Sequence, residues 1–559
     1  MITKYKYIIL GVCTICGLMS CSKMLETESE LVEYEKDNTL NHPTDSVYSV
    51  MGIINKIQLI ADRTVLLGEM RGDLMTTTPA ASSDLKRLAE FDRDGDNKYY
   101  KISDYYAVIN NCNYFLAHAD TAMERRGRKL FMYEYAAVKA FRAWTYLELV
   151  KAYGHVPLVT TPVMTEQQAT DAMNLGDKDI TDICNYFISD LTPYAKTELP
   201  KYGSINGMNS TEFFIPMRAL IGDLCLWAGR YQEAAYWYHD YLNDKDEPIE
   251  MNYSNRVRWN NIVNFQSQRP TNLYSVKDEV ERLTYIPMEE RVFDGTITEL
   301  YDIYQSNEQN RYYYQAEPSK GMRKISAEQT YCFEYKNNTV TDTIYAPRDI
   351  TAYQEDVYLG DLRLSANYSQ ESYRQDNYSE YSSLMQNITK FFRESIITYR
   401  RTMVYLRYAE ALNRAGYPQS AFAILKYGIC NEIVNERVDS VERVQAGDLI
   451  VFDPNIFTKE TSLGIHSMGC GDVQCDTTYV IPALPARQDS IDFVEDKIVT
   501  EMALEGSFEG YRFYDLMRVA LRRNDLSYLA EPISRRNGEK DESLYQLLMN
   551  KENWYLPKR

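Results

Sequence analysis

The sequence predicts a mainly α-helical scaffold of tetratricopeptide-like helix pairs, with long irregular inserts that carry a few short strands. Three observations lead there. Residues 133–153 place Ala137, Ala140, Phe141, Trp144, Leu147 and Val150 on one helical face and stop at Gly154, with Pro157 close behind. Twice, at 217–242 and 404–435, a helical pattern halts near a glycine (Gly229, Gly416) and a second begins within two or three residues, as in a tetratricopeptide unit. Between about 244 and 400 the periodicity fades and tyrosines accumulate, the mark of an insert on a rigid frame.

In chain order, Lys4 and Lys6 form a short cationic head, and residues 7–19 are apolar apart from Thr14. A helix of about 13 residues at ~1.5 Å each spans roughly 20 Å, short of a ~30 Å hydrocarbon core. Residues 1–20 are therefore expected to be a cleaved export signal. The segment ends on Leu18-Met19-Ser20-Cys21 rather than an A-x-A site, which resembles a bacterial lipobox and makes Cys21 the expected lipidation site. One acyl chain holds only marginally at about 0.8 kcal/mol per methylene, so several chains make a lasting membrane anchor. The competing reading is an ordinary signal with a chance cysteine. Residues 21–42 follow as a lipidated acidic tether (Glu26, Glu28, Glu30, Glu33, Glu35), either an export cue or a solvated linker, and 43–559 as one body.

Composition excludes several classes. The formal charge of -19 becomes about -21 once the two lysines of the head are removed, a poor partner for nucleic acid or polyanions. After residue 21 no apolar run approaches the roughly 18 residues a membrane crossing needs. Cys112, Cys184, Cys225 and Cys430 sit among helix-patterned apolar neighbours, as small buried hydrophobes do. Cys470 and Cys475 are the only close pair downstream and are spaced for a loop disulfide in an oxidising compartment. No second pair or nearby histidine completes a metal set, and the five histidines show no HExxH, which excludes a metalloprotease. No cofactor is expected.

The remaining elements follow from pattern. Val47, Val50, Met51, Ile54 and Ile57 predict a helix over 46–60 capped by Asp45 or Ser46, and 103–119 another. Residues 67–96 lack periodicity. There, Asp92-Arg93-Asp94-Gly95-Asp96 resembles a calcium loop, but the glycine falls fourth rather than sixth and Ser103 stands where a bidentate Glu is required, which favours a capped turn. A hairpin is expected at 331–345 around Asn337-Asn338.

Three stretches then point to a family. Ala136 to Val159, containing Arg142-Ala143, Tyr146, Tyr153-Gly154 and Val156-Pro157-Leu158, resembles the RA-x-x-Y-x-x-L-x-x-x-YG-x-VPL stretch of SusD/RagB nutrient-binding lipoproteins. Leu406 to Gly416 is similar to that family's LRYAEALNRAG helix, and Phe508-Glu509-Gly510 to Arg518 to its FEG-x-R-x-x-DLxR block. The motifs keep the family's order behind the lipobox and cover the chain from 21 nearly to 559. They depart near 425–429, where the family is more basic, and at the short end 554–557. The resemblance implies a SusD-like helical scaffold on the outer-membrane surface, partnered with a TonB-dependent SusC-like channel to which it passes captured glycan.

The motif residues themselves suggest structure rather than chemistry. Arg142, Arg407, Arg512 and Arg518 lie in partly apolar helices and need partners, for which Glu410, Glu509 and Asp515 are at hand. Arg512 and Asp515 are spaced to pair along one helix. Glu505 and Glu509 are the one candidate acid/base pair, yet nothing sets them across a cleft as a retaining glycosidase needs. No nucleophile elbow, P-loop or dinucleotide fingerprint is present. No enzymatic activity is expected.

The expected function is recognition, with aromatic rings as sugar platforms. The family's ligand contacts come from the loop before the third helix and from the central insert. By that resemblance the ligand residues are Asp73, Asn97, Tyr99 and Tyr100 in the first region, and Trp259, Tyr301, Tyr312 and Tyr313 in the second. Two other readings stand beside glycan capture: a peptide-binding member of the family, and a scaffold that only holds the channel.

Overall fold

The computed structural model describes residues 43–558 except 126, 206, 252–255, 258, 262–265, 268–280, 290–295, 306–313, 338–339, 347, 349–359 and 375–381. The expected signal, Cys21 and the tether lie outside the described residues. The first helix, α1 (Pro43–Glu69), runs nine residues past its expected end. It buries Val50, Ile53, Ile54, Ile57, Ile60 and Val65 in the main core.

The stretch expected to lack periodicity contains two elements. A short strand, β1 (Met75–Thr77), precedes helix α2 (Ser83–Glu90). The Ser82 hydroxyl caps α2 by accepting from the Leu85 amide, and only Leu85, Leu88 and Ala89 are buried from it. Three apolar residues in eight are too few to raise a helical pattern above the polar run around them.

The stacked helices follow: α3 (Ile102–His118), α4 (Met132–Tyr153), α5 (Ile180–Leu191), α6 (Met217–Trp227) and α7 (Tyr231–Leu242). The central insert is irregular and holds β2 (Trp259–Asn261), β3 (Arg282–Pro287), α8 (Leu300–Tyr304) and β4 (Ala316–Pro318). Beyond these come the expected hairpin, β5 (Tyr331–Asn337) with β6 (Val340–Ala346), a second hairpin of β7 (Tyr368–Arg374) with β8 (Ser382–Ile388), and β9 (Ser395–Arg400). Helices α9 (Arg401–Arg414), α10 (Pro418–Lys426), α11 (Arg487–Glu505) and α12 (Arg512–Arg523) complete the frame.

Each helix packs on the next: α3 on α4, α4 on α5, α5 on α6, α6 on α7, α7 on α9, and α9 on α10 and α11. Both glycine-stopped pairs are thus members of one continuous stack, which buries the face that a single pair leaves open. Gly416 makes the α9–α10 turn at φ +100° with Pro418 opening the second helix. The described strands pair only in twos and antiparallel. Two pairs join distant chain: β1 with β4, and β3 with β9.

The buried arginines hold the stack together. Arg142 donates to Asn113 at 2.9 Å and Asp190 at 3.0 Å, tying α4 to α3 and α5. Arg407 reaches across from α9 to Asp223 on α6, which also accepts from the Tyr238 and Tyr399 hydroxyls. Arg518 donates to Glu410 and to Asp515. The expected pairing of Arg512 with Asp515 is not made. Arg512 instead grips Asp73 with two bonds, at 2.6 and 2.9 Å, because α12 lies against the end of α1.

That docking requires Gly510. It stands at φ +98°, and a Cβ there would lie 2.1 Å from the Thr64 carbonyl oxygen of α1. Glu505 is clamped by Arg363 and Arg400, and Glu509 by Arg400 and Lys390. Both acids considered as a catalytic pair are therefore neutralised in place. The expected Cys470–Cys475 disulfide is not formed, because the two thiols donate to different carboxylates, Asp361 at 3.2 Å and Glu334 at 3.0 Å.

Candidate ligand-binding site

The two regions expected to supply ligand contacts meet. Asp62, on α1, accepts from the Thr298 hydroxyl at 2.5 Å and the Glu299 amide at 2.9 Å, and Thr298 in turn caps the Leu300 amide of α8. Burial pushes the Asp62 carboxyl up to about 6, against the pull of those two bonds. The short helix α8 is thus fixed at its start to the long helix α1. A single 3-10 turn, Lys98–Tyr100, lies beside it.

Glu299 is the meeting point. Lys98 Nζ donates to both its oxygens, at 2.6 and 2.8 Å, and the Tyr99 hydroxyl donates at 3.0 Å. The Lys98 and Glu299 side chains are each nearly half exposed. One helical step on, the half-buried Tyr301 ring lies 4.6 Å from the Arg393 guanidinium, which pairs with Asp302 at 2.5 Å. Gln305 bonds the Tyr301 and Phe391 carbonyls, while the Tyr314 and Gln315 amides bond the carbonyls of Asp302 and Ile303.

The named residues divide by burial. Tyr301 is half-buried in this junction. Tyr99 and Tyr100 are buried beneath it, and Tyr100 donates to the Asp92 carbonyl. Asn97 accepts from the Tyr99 amide and donates to the Asp84 carbonyl, so its side chain shapes the turn. Asp73 lies elsewhere, in the buried pair with Arg512. Trp259 begins strand β2. Tyr312 and Tyr313 fall outside the described residues. Lys98, Glu299, Asp302 and Arg393 were not among the expected ligand residues. No local pattern marks them, since the two halves lie 200 residues apart.

The acidic loop below the junction is a capped turn. The Asp94 amide bonds Asp92, and Arg87 of α2 both pairs with Asp92 at 3.5 Å and donates to the Asp96 carbonyl. Among the described residues no group of three or more His, Cys, Asp or Glu is arranged to hold a metal ion. The junction offers one ring and several directional polar groups of both signs. That combination orients a polar ligand across a surface.

No protein-family profile and no curated protein matches this chain. Solved structures do. A SusD superfamily protein of Bacteroides vulgatus superposes with a TM-score of 0.58 at 14% identity, over 93% of this chain and 96% of that one. Another SusD superfamily protein, from Bacteroides thetaiotaomicron, gives 0.54 at 14% identity over 85% and 89%. A SusD-like carbohydrate binding protein of Bacteroides vulgatus gives 0.52 at 13% identity over 85% and 83%.

Proposed function

The chain has the fold of the SusD superfamily, and on that premise we propose that it is a cell-surface lipoprotein. In this reading it is anchored through Cys21, binds an oligo- or polysaccharide, and delivers it to a TonB-dependent outer-membrane channel without chemical change. The observation that supports binding most is the junction at Glu299. Two segments 200 residues apart are drawn together there on α1, beside the half-buried Tyr301 ring and the Arg393 guanidinium 4.6 Å from it. Among the described residues no helix is long and apolar enough to cross a membrane, which agrees with attachment by lipid.

Energetics suit capture followed by release. A ring laid on a sugar face hides roughly 60 Å², worth about 1.5 kcal/mol at ~25 cal/mol/Å². The single ring at the junction thus falls short of the about 4.1 kcal/mol of a millimolar complex, and hydrogen bonds supply the rest. Calorimetry of the chain from residue 22, without lipid, against panels of oligosaccharides, polysaccharides and peptides tests the proposal. Saturable heat with one glycan class that falls in Tyr301→Ala supports it. Heat with peptides alone replaces glycan by peptide as the cargo, and silence across the panel leaves the scaffold reading.

A further inference from the structure

A large cavity lies away from the Glu299 junction. It is a groove of about 1080 Å³ between the start of α6, the end of α7, segment 195–201 and the outer end of β3. Ligand sites are commonly about 300–1,000 Å³, so the groove has room for several sugar units. Its walls carry six cationic and six acidic side chains, an even balance on a chain whose net charge is -19.

Those charges answer one another within the fold. Arg218 pairs with Asp240 at 3.1 Å and Asp244 at 2.5 Å, Lys196 shares Asp240 at 3.2 Å, and Arg282 is bound to Glu212. The groove therefore offers no net charge to a phosphate, a polyanion or a cationic peptide. What it does offer is hydrogen-bonding edges at fixed positions and one aromatic ring, Tyr241, backed by Arg218 at 5.7 Å. The Arg401 Nε–H also lacks a partner among the described residues. Fixed edges beside a ring, without net charge, match a neutral polyhydroxylated ligand.

The groove's relation to the first site is set by one ribbon. Strands β3 and β9 pair from Arg282↔Arg400 to Pro287↔Ser395. Arg282 and Arg401 line the groove at one end, and Arg393 lies two residues beyond the other. Six residues at ~3.4 Å separate the two places by roughly 20 Å. We propose that this groove is a second glycan-binding site, for a neutral oligosaccharide, distinct from the junction at Glu299. The inference rests on the glycan reading of the function.

The test is binding stoichiometry of the full chain in detergent, by calorimetry, with cellohexaose, xylohexaose, mannohexaose and maltohexaose as probes. Glu198→Trp puts a bulky ring on an exposed groove wall without touching the core, and Tyr241→Ala removes the groove's platform. The expected result is two sites in the native chain. Glu198→Trp then removes one of them, Tyr241→Ala weakens the same one about tenfold, and Tyr301→Ala acts only on the other. A single site that survives both groove variants and falls in Tyr301→Ala overturns the inference while leaving the proposed function standing. A single site lost in Glu198→Trp alone keeps the groove and moves the function to it. No saturable heat with any probe overturns both.

Discussion

Replacing Asp73 by asparagine keeps the shape of the side chain and removes one charge, at a place where charge is scarce and buried. Asp73 and Arg512 are 2% and 7% exposed. Their two hydrogen bonds, with the Gly510 amide bond to Glu69, link the end of α1 to the start of α12. A second buried arginine stands close by. Arg536 donates to the carbonyls of Met70, Gly72 and Ala89, and burial pushes its pKa down to about 10 although Asp73 opposes the shift. Asp73→Asn therefore leaves two cations in the core without their shared counter-charge.

Breaking a buried pair from one side costs about 3–5 kcal/mol, and the second arginine puts this case at the upper end. At about 2 cal/mol/K per residue, the unfolding entropy of a chain this long is roughly 1 kcal/mol/K, so Tm should fall by about 4 °C. Urea unfolding followed by circular dichroism reads the same loss. The folded variant should bind ligand as the native chain does, because Asp73 is far from exposed. Asp73→Asn/Arg512→Met should recover part of the loss, since the uncompensated charge is gone. A destabilisation below about 1 kcal/mol, or lost binding at unchanged stability, would refute the structural role and return Asp73 to the ligand.

Four further outcomes are expected. Burial pushes Glu69 up to about 7 and Asp62 up to about 6, despite opposing hydrogen bonds; their contribution to stability is complete below their unfolded values near 4 and is lost as pH rises through 6 and 7. Burial pushes Glu410 and Glu501 up as well but is outweighed, by Arg414 and Arg518 in one case and His466 and Arg363 in the other, which hold both at about 2; that stability is complete above about 4.5 and lost towards pH 2. Urea midpoints should therefore peak near pH 4.5 and decline towards pH 7, Glu410→Gln should flatten the acid limb, and a maximum at pH 8 would contradict the assignment. Gly510→Ala should cost about 3 kcal/mol or prevent folding, whereas Gly447→Ala, at φ +54° with open space around it, should cost less, because backbone strain alone opposes it. Tyr301→Ala should weaken glycan binding about tenfold at unchanged Tm, and equal affinity would remove that ring from the site. The groove variants complete the set through stoichiometry.

What the sequence made legible was local. Each helix pair depends on a glycine, a short turn and an apolar stripe within some 25 residues, and both pairs fold where their patterns lie. The Asn337–Val340 hairpin is equally local. Partners across the chain were not legible: an i, i+3 spacing suggested Arg512 with Asp515, while the true partner lies 439 positions away. Strand β1 carries no signal of its own because its mate begins more than 200 residues later. Tyr99 and Tyr100 show the same limit on function. A tyrosine pair looks alike in sequence whether its rings face ligand or, as here, pack under a turn.

The seam that joins α1 to α12 also decides when the chain can finish folding. Arg71, two residues past the first described helix, donates to the carbonyl of Trp554, 483 positions later. Glu69 accepts from Gly510, and Leu556 donates to Ala152. Closing loops of that length carries an entropic cost before any contact rewards it, and topologies rich in such contacts fold slowly. An emerging chain can build the stacked pairs one after another, but its first helix keeps an open flank until the last residues arrive. Loss of the final dozen residues would therefore unsettle the beginning of the molecule rather than its end.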